Sequence, residues 1–231
     1  MMNYQDLKKD VFLRENPDKS SFDKKIIRTN FQVVGLYKKD IDNIRKKYAS
    51  INLSLIPNEN IYELNYLYLI IGLNQLNSFD DQLSFFMDSL DRIDCWALVD
   101  SPSSYFKKVS LIKLLEECNF LVMKDNTWLK RLGFVLLMRL KKDNKLVKES
   151  LSLFKNYDDY YVNMAEAWTL STFCIYQENL ILDYLSRCSL SLDIKVKTIN
   201  KCLDSFRIGA ETKKKLRTLK TLFKNSSVVN K

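Results

Sequence analysis

Four glycines and three prolines are all that this chain of 231 residues offers for tight turns, and that scarcity limits its fold more than any other feature. A sheet protein needs a turn signal roughly every ten residues. Here the apolar residues, 46% of the chain with aromatics at 12%, must be buried by helices joined through short polar connections. The expected class is all-α. No composition shift marks an internal boundary, so residues 1–224 read as one domain and 225–231 as a disordered tail.

Several chemistries are excluded at once. The five cysteines, Cys95, Cys118, Cys174, Cys188 and Cys202, form an odd set without a C-x-x-C pair, and the chain has no histidine. Zinc, haem and histidine-triad sites of the usual kinds therefore have no ligands, and neither metal nor cofactor is expected. The cysteines lie in apolar runs and read as small buried hydrophobes in a reducing compartment. The N-terminus, MMNYQDLKKD, has no apolar core of a signal peptide, and the longest apolar run, Leu67–Leu73, is far short of a membrane span. The expectation is a soluble cytoplasmic monomer without a membrane partner.

Charge is informative through its position. Residues 1–194 hold 26 basic and 26 acidic side chains, whereas 195–231 hold 11 basic ones against Asp204 and Glu211 alone. The whole net charge of +9 thus sits at one end, as an electrostatic footprint for nucleic acid or as a solvated lysine-rich appendage.

Apolar periodicity predicts helices over Tyr4–Arg14, Asp18–Gln32, Lys39–Ala49, Glu59–Leu76, Asp80–Leu90, Asp91–Asp100, Pro102–Glu117, Asp125–Leu140, Lys145–Phe154, Asp158–Tyr176, Asn179–Arg187, Asp193–Phe206 and Glu211–Phe223. In the second, Phe22, Ile26 and Ile27 should face inward and leave Lys24, Lys25 and Arg28 wet or facing a ligand. Trp96, Trp128 and Tyr161 recur at intervals of 32 and 33 residues, each early in a helix. One helical hairpin per interval would stack into a superhelix.

The stretch Asp91–Ser101, DRIDCWALVDS, holds the clearest candidate site. Four residues separate Trp96 from Asp100, which puts an indole and a carboxylate on one helical face, while Cys95, Leu98 and Val99 anchor a neighbouring face. A carboxylate near a helix C-terminus is disfavoured by the macrodipole, so its presence calls for another reason. The alternative is structural: Asp100-Ser101-Pro102 is also a good helix start, and Trp96 an ordinary core residue. Arg131, one turn after Trp128 on a helix apolar almost all round, needs a carboxylate, a carbonyl or a phosphate. Trp168 follows Met164 by four residues, with Ser171 and Ile175 continuing that face.

Taken in order, these segments resemble the HEAT-like repeat DNA alkylation repair family, the AlkD-type glycosylases. The likeness runs through Glu15-Asn16-Pro17-Asp18-Lys19 and Val34-Gly35-Leu36, then Cys95–Ser101 against the family's W-W-D-x-V-D-S. It continues in Asp125-Asn126-Thr127-Trp128-Leu129-Lys130-Arg131 against D-N-x-W-x-x-R, and in Ala167-Trp168. The resemblance implies an α-α superhelix, a HEAT-like repeat solenoid, whose concave basic face holds duplex DNA containing alkylated bases. It also implies hydrolytic release of cationic purines such as 3-methyladenine and 7-methylguanine. Carried over, Asp100 matches the catalytic carboxylate and Trp96 and Trp168 the indoles flanking the lesion. Arg131 matches an arginine on DNA phosphate. Independently of the family pattern, Arg28 and Lys197 are further candidate DNA-binding cations.

That chemistry suits the residues. An alkylated ring nitrogen makes the base cationic and a good leaving group, so a fixed carboxylate need only stabilise the sugar oxocarbenium and orient water, and indole faces attract the same charge. The departures are Cys95 and Ala97 where the family often has Trp and Asp, and Ile26 where a tyrosine is common. Lys39 stands for a capping proline, and Ser171 for a further arginine. They leave two other readings open: a catalytically silent DNA-binding paralogue, and a helical-repeat scaffold for another protein.

Overall fold

A computed structural model describes residues 3–229, and side chains as far as residue 225. The described residues form thirteen α-helices and no strand. They are α1 (Tyr4–Phe12), α2 (Pro17–Ile27), α3 (Lys38–Lys47), α4 (Tyr62–Gln75), α5 (Phe79–Asp88), α6 (Ala97–Asp100), α7 (Leu111–Val122), α8 (Thr127–Leu137), α9 (Asn144–Ser150), α10 (Tyr160–Tyr176), α11 (Glu178–Arg187), α12 (Leu192–Asp204) and α13 (Ala210–Val229). No helix among them is long and apolar enough to cross a membrane. The all-helical architecture agrees with an α-α repeat fold. The chain divides into two compact units, Met1–Val109 and Ser110–Lys231, where composition marked no boundary.

In the first unit α4 is the central element. Its Leu64, Leu67, Leu69, Ile70, Ile71 and Leu73 are at most 1% exposed, as a helix apolar on most sides requires. At Gly72 an added Cβ would lie 2.2 Å from the Phe85 ring, so that ring of α5 fills the space a side chain at residue 72 would take. Buried Arg92 ties the preceding loop to α4, donating to the carbonyls of Ile56 (2.8 Å) and Pro57 (3.0 Å) and to Asn65 Oδ1 (3.3 Å). Its guanidinium lies 3.7 Å from the centre of the Tyr68 ring.

Three expected helices differ here, each for a tertiary reason. The second stops at Ile27, where Arg28 adopts a left-handed conformation (φ 54°), and only Ile27 of its apolar set is buried. Phe22 and Ile26 are 63% and 48% exposed. The helix expected over Pro102–Glu117 is a 3-10 turn, Pro102–Tyr105, followed by extended chain, and α7 begins at Leu111 behind a Ser110 cap. Buried Gln82 holds the extended part: its Nε2 donates to the Tyr105 carbonyl at 3.1 Å and its Oε1 accepts the Lys107 N–H at 2.6 Å. The third, Asp91–Asp100, is broken at the candidate site.

In the second unit α10 packs against α8, α11 and α12. Asn126 and Asp159 cap α8 and α10, each accepting two N–H groups of the first turn. Thr127 Oγ1 donates to Asp159 Oδ2 at 2.5 Å, and Trp128 and Tyr161 set their rings 5.2 Å apart. The interval of 33 residues thus joins matching positions of successive hairpins. The final helix runs on to Val229, into the segment expected as a disordered tail, and Asn230 and Lys231 of that tail lie outside the described residues.

Glu166 of α10 is fully buried. Its Oε1 accepts the Lys155 N–H at 2.9 Å, while its Oε2 has no partner among the described residues. Burial pushes this carboxyl up to about 8. Because the folded pKa exceeds the unfolded one, its contribution to stability is complete at acidic pH and is lost as pH rises toward 8. Glu166→Gln removes that dependence. In denaturation series between pH 5 and 8, stability should shift in the variant's favour by up to about 1.4 kcal/mol per pH unit; parallel curves for the two proteins would show that Glu166 stays ionised throughout.

Candidate functional site

The stretch around Trp96 is not one helix. A 3-10 turn spans Leu90–Arg92, the chain then extends, and α6 is a single turn. Asp94 causes the break. Its two carboxylate oxygens accept Thr29 Oγ1 at 2.6 and 2.8 Å, and one also accepts the Asn30 N–H at 2.6 Å. Such charge-assisted bonds hold the backbone where a helix cannot continue.

The one turn that remains keeps the expected facing. The Asp100 N–H donates to the Trp96 carbonyl at 2.9 Å, so the two side chains stand one above the other. Cys95, Leu98 and Val99 are fully buried beneath them, and burial pushes the Cys95 thiol up to about 12, which makes it inert packing.

Trp96 and Asp100 both open on a cleft of about 460 Å3 in the first unit. The Trp96 indole N–H points to the Ile26 carbonyl at 3.4 Å. Ile26 itself lines the cleft, which explains why it is not part of the core. The cleft is also lined by α4, where Tyr62 and Tyr66 stack one turn apart with ring centres 6.2 Å apart. Burial pushes the Tyr66 hydroxyl up to about 12, so it stays a neutral donor. Lys19, paired with Asp23 at 2.6 Å, and Lys38 stand at the cleft as well.

The floor has its own support. Glu63, 2% exposed, accepts the N–H groups of Val34 (2.9 Å), Gly35 (2.7 Å) and Leu36 (3.3 Å). Burial raises its pKa, opposed by those three donors. Gly35 has φ 89°, and a Cβ there would lie 2.4 Å from the Asn16 carbonyl, so the turn requires glycine. Tyr62, Glu63 and Tyr66 were not singled out from sequence. The available signal was the i, i+4 pair of Tyr62 and Tyr66 at the start of a largely apolar helix.

The remaining candidates stand elsewhere. Arg28 is exposed at the end of α2. In the second unit Trp168 is 37% exposed on α10, while neighbouring Ser171 is 6% exposed and donates back to the Trp168 carbonyl at 2.8 Å. Arg131 is 5% exposed, and one guanidinium N–H meets the Tyr161 carbonyl at 2.7 Å, the carbonyl option among the partners such a group needs. Lys197 pairs with Asp193 and lies over the Tyr160 ring at 5.2 Å. Among the described residues no three acid or thiol side chains are grouped to hold a metal ion.

Residues 8–205 match the family model described as DNA alkylation repair enzyme. No curated protein matches the chain. The matched span includes every candidate side chain above and every residue lining the cleft.

Removing the carboxylate of Glu63 should strip three buried N–H groups of their acceptor at once. Glu63→Ala is expected to lower stability by about 3 kcal/mol and to abolish hydrogen-exchange protection at residues 34–36, as read by denaturation and exchange mass spectrometry. Unchanged protection there would mean that the loop is held by other contacts.

Proposed function

The chain belongs to the DNA alkylation repair enzyme family, and on that premise we propose that it is a DNA glycosylase hydrolysing the N-glycosidic bond of cationic alkylated purines in duplex DNA. The observation that carries this reading is an indole and a carboxylate one helical turn apart on the wall of a single aromatic-lined cleft.

Each group has a role in the reaction. Alkylation at N3 or N7 leaves the purine positively charged, so the glycosidic bond breaks toward a neutral base and an oxocarbenium sugar. Asp100 faces that developing charge and orients the water that attacks the anomeric carbon, taking up the proton that the water loses. Trp96 adds the attraction of its ring face for the same cation, and the phenols of Tyr62 and Tyr66 line the same cleft. Trp168, partly exposed, is assigned as the second indole. Phosphate contact falls first to Arg28, whose guanidinium is exposed. It falls less to Arg131 and Lys197, whose charges already meet a carbonyl and a carboxylate within the protein.

One observation favours a second reading, the silent DNA-binding paralogue: Ile26 fills a place in the cleft wall where the family often carries a tyrosine. Base release from methylated duplex DNA separates the two. The glycosylase reading expects the purified protein to liberate 7-methylguanine, with Asp100→Asn slowing release by about 100-fold or more and Trp96→Ala by about tenfold. Folded protein that binds duplex in a salt-dependent manner but liberates no base would leave the silent paralogue.

A further inference from the structure

The segment from Phe206 onward lies beyond the family match and carries most of the excess positive charge. Its first residue has an unusual placement. Phe206 is 104% exposed, more than any other large apolar side chain among the described residues. The turn that carries it is anchored, since Ile208 is 7% exposed and the Arg207 N–H is held by Ser205 Oγ at 3.2 Å. The ring is thus presented to solvent by a fixed turn, with Arg207 beside it.

Helix α13 follows and is sharply two-sided. Thr212, Leu216, Leu219 and Phe223 turn toward the rest of the second unit: Leu216 is fully buried, Thr212 donates to Glu178 Oε2 at 2.8 Å, and Lys195 lies over Phe223 at 4.9 Å. Another face carries Lys213, Arg217, Lys220 and Lys224 at i, i+4, i+7 and i+11, a single stripe along the helix, with Lys214 on its flank. Among the described residues Lys213, Lys214 and Arg217 have no acidic partner, and Lys220 donates only to the neutral Asn200 amide at 2.7 Å. Like charges one turn apart destabilise a helix, so Lys213 and Arg217 do nothing for α13 itself. The stripe is complementary to a polyanion.

We infer that α13 and the Phe206 turn form a second duplex-binding surface, in which the basic stripe follows one phosphate strand and the Phe206 ring packs into the adjoining groove. The dimensions agree. The stripe is about 17 Å long, long enough for its cations to meet a short run of successive phosphates on one strand. An exposed aromatic beside an arginine is the kind of side chain that wedges against bases or sugars in the minor groove. The choice of duplex DNA over other polyanions rests on the function proposed above. The surface adds affinity that is independent of sequence and of the lesion.

Two variants of the full chain test this by titration with undamaged duplex DNA across a series of salt concentrations. Lys213→Ala/Lys214→Ala/Arg217→Ala should weaken binding by tenfold or more and flatten the slope of log K against log salt by about 2 to 3. Phe206→Ala should weaken it several-fold and leave the slope as it was. All four positions face solvent in whole or part, and melting curves check that both variants fold. If the parent releases 7-methylguanine while the triple variant keeps its full affinity and slope, the surface is overturned and the glycosylase reading stands. A parent that binds no duplex overturns both. Binding by these residues to duplex RNA or phosphatidylserine vesicles, with duplex DNA ignored, also overturns the proposal.

Discussion

Three consecutive backbone N–H groups, those of Val34, Gly35 and Leu36, converge on the buried carboxylate of Glu63. The candidate site takes its shape from that convergence. A carboxylate taken out of water is costly unless its oxygens are occupied, and here the connection between α2 and α3 occupies them. The same connection passes so close to the start of α2 that residue 35 has no room for a side chain. The position of α2, and with it Ile26 and the Trp96 indole partner, therefore depends on one acid inside α4. Glu63 organises the cleft from beneath, while Asp100 lines the same cleft from α6.

The sequence was most readable where the determinants are local. The helices expected over Asp125–Leu140 and Asp158–Tyr176 form, and short polar side chains near those starts, Asn126 and Asp159, cap the turn that follows each. The pairing of Trp96 with Asp100 survives because spacing by four fixes a shared face even in a helix of one turn. The resemblance drawn from scattered segments was matched by the family model over residues 8–205.

What was not readable depends on partners far along the chain. Asp94 breaks the helix expected over Asp91–Asp100 because its acceptors are claimed by Thr29 and Asn30. Gln82 likewise draws residues 105–107 out of the helix expected after Pro102. Phe22 and Ile26 fit an inward-facing pattern but are largely exposed, since periodicity gives a stripe without saying whether core or cleft lies opposite. Glu63 and Arg92, two buried charges that shape the first unit, look like any surface residue in a sequence. Their identity lies in which backbone groups come to them.

The link between Thr127 and Asp159 extends beyond its own hairpin. One Asp159 oxygen accepts the Tyr161 and Val162 amides at the head of α10, and the other holds the hydroxyl of the first residue of α8. Unwinding the start of either helix strips a partner from the other. In stacked hairpins each unit leans on its neighbours, and this shared knot ties the first turn of α8 to the first turn of α10, so the two helix starts hold like a latch with two tongues.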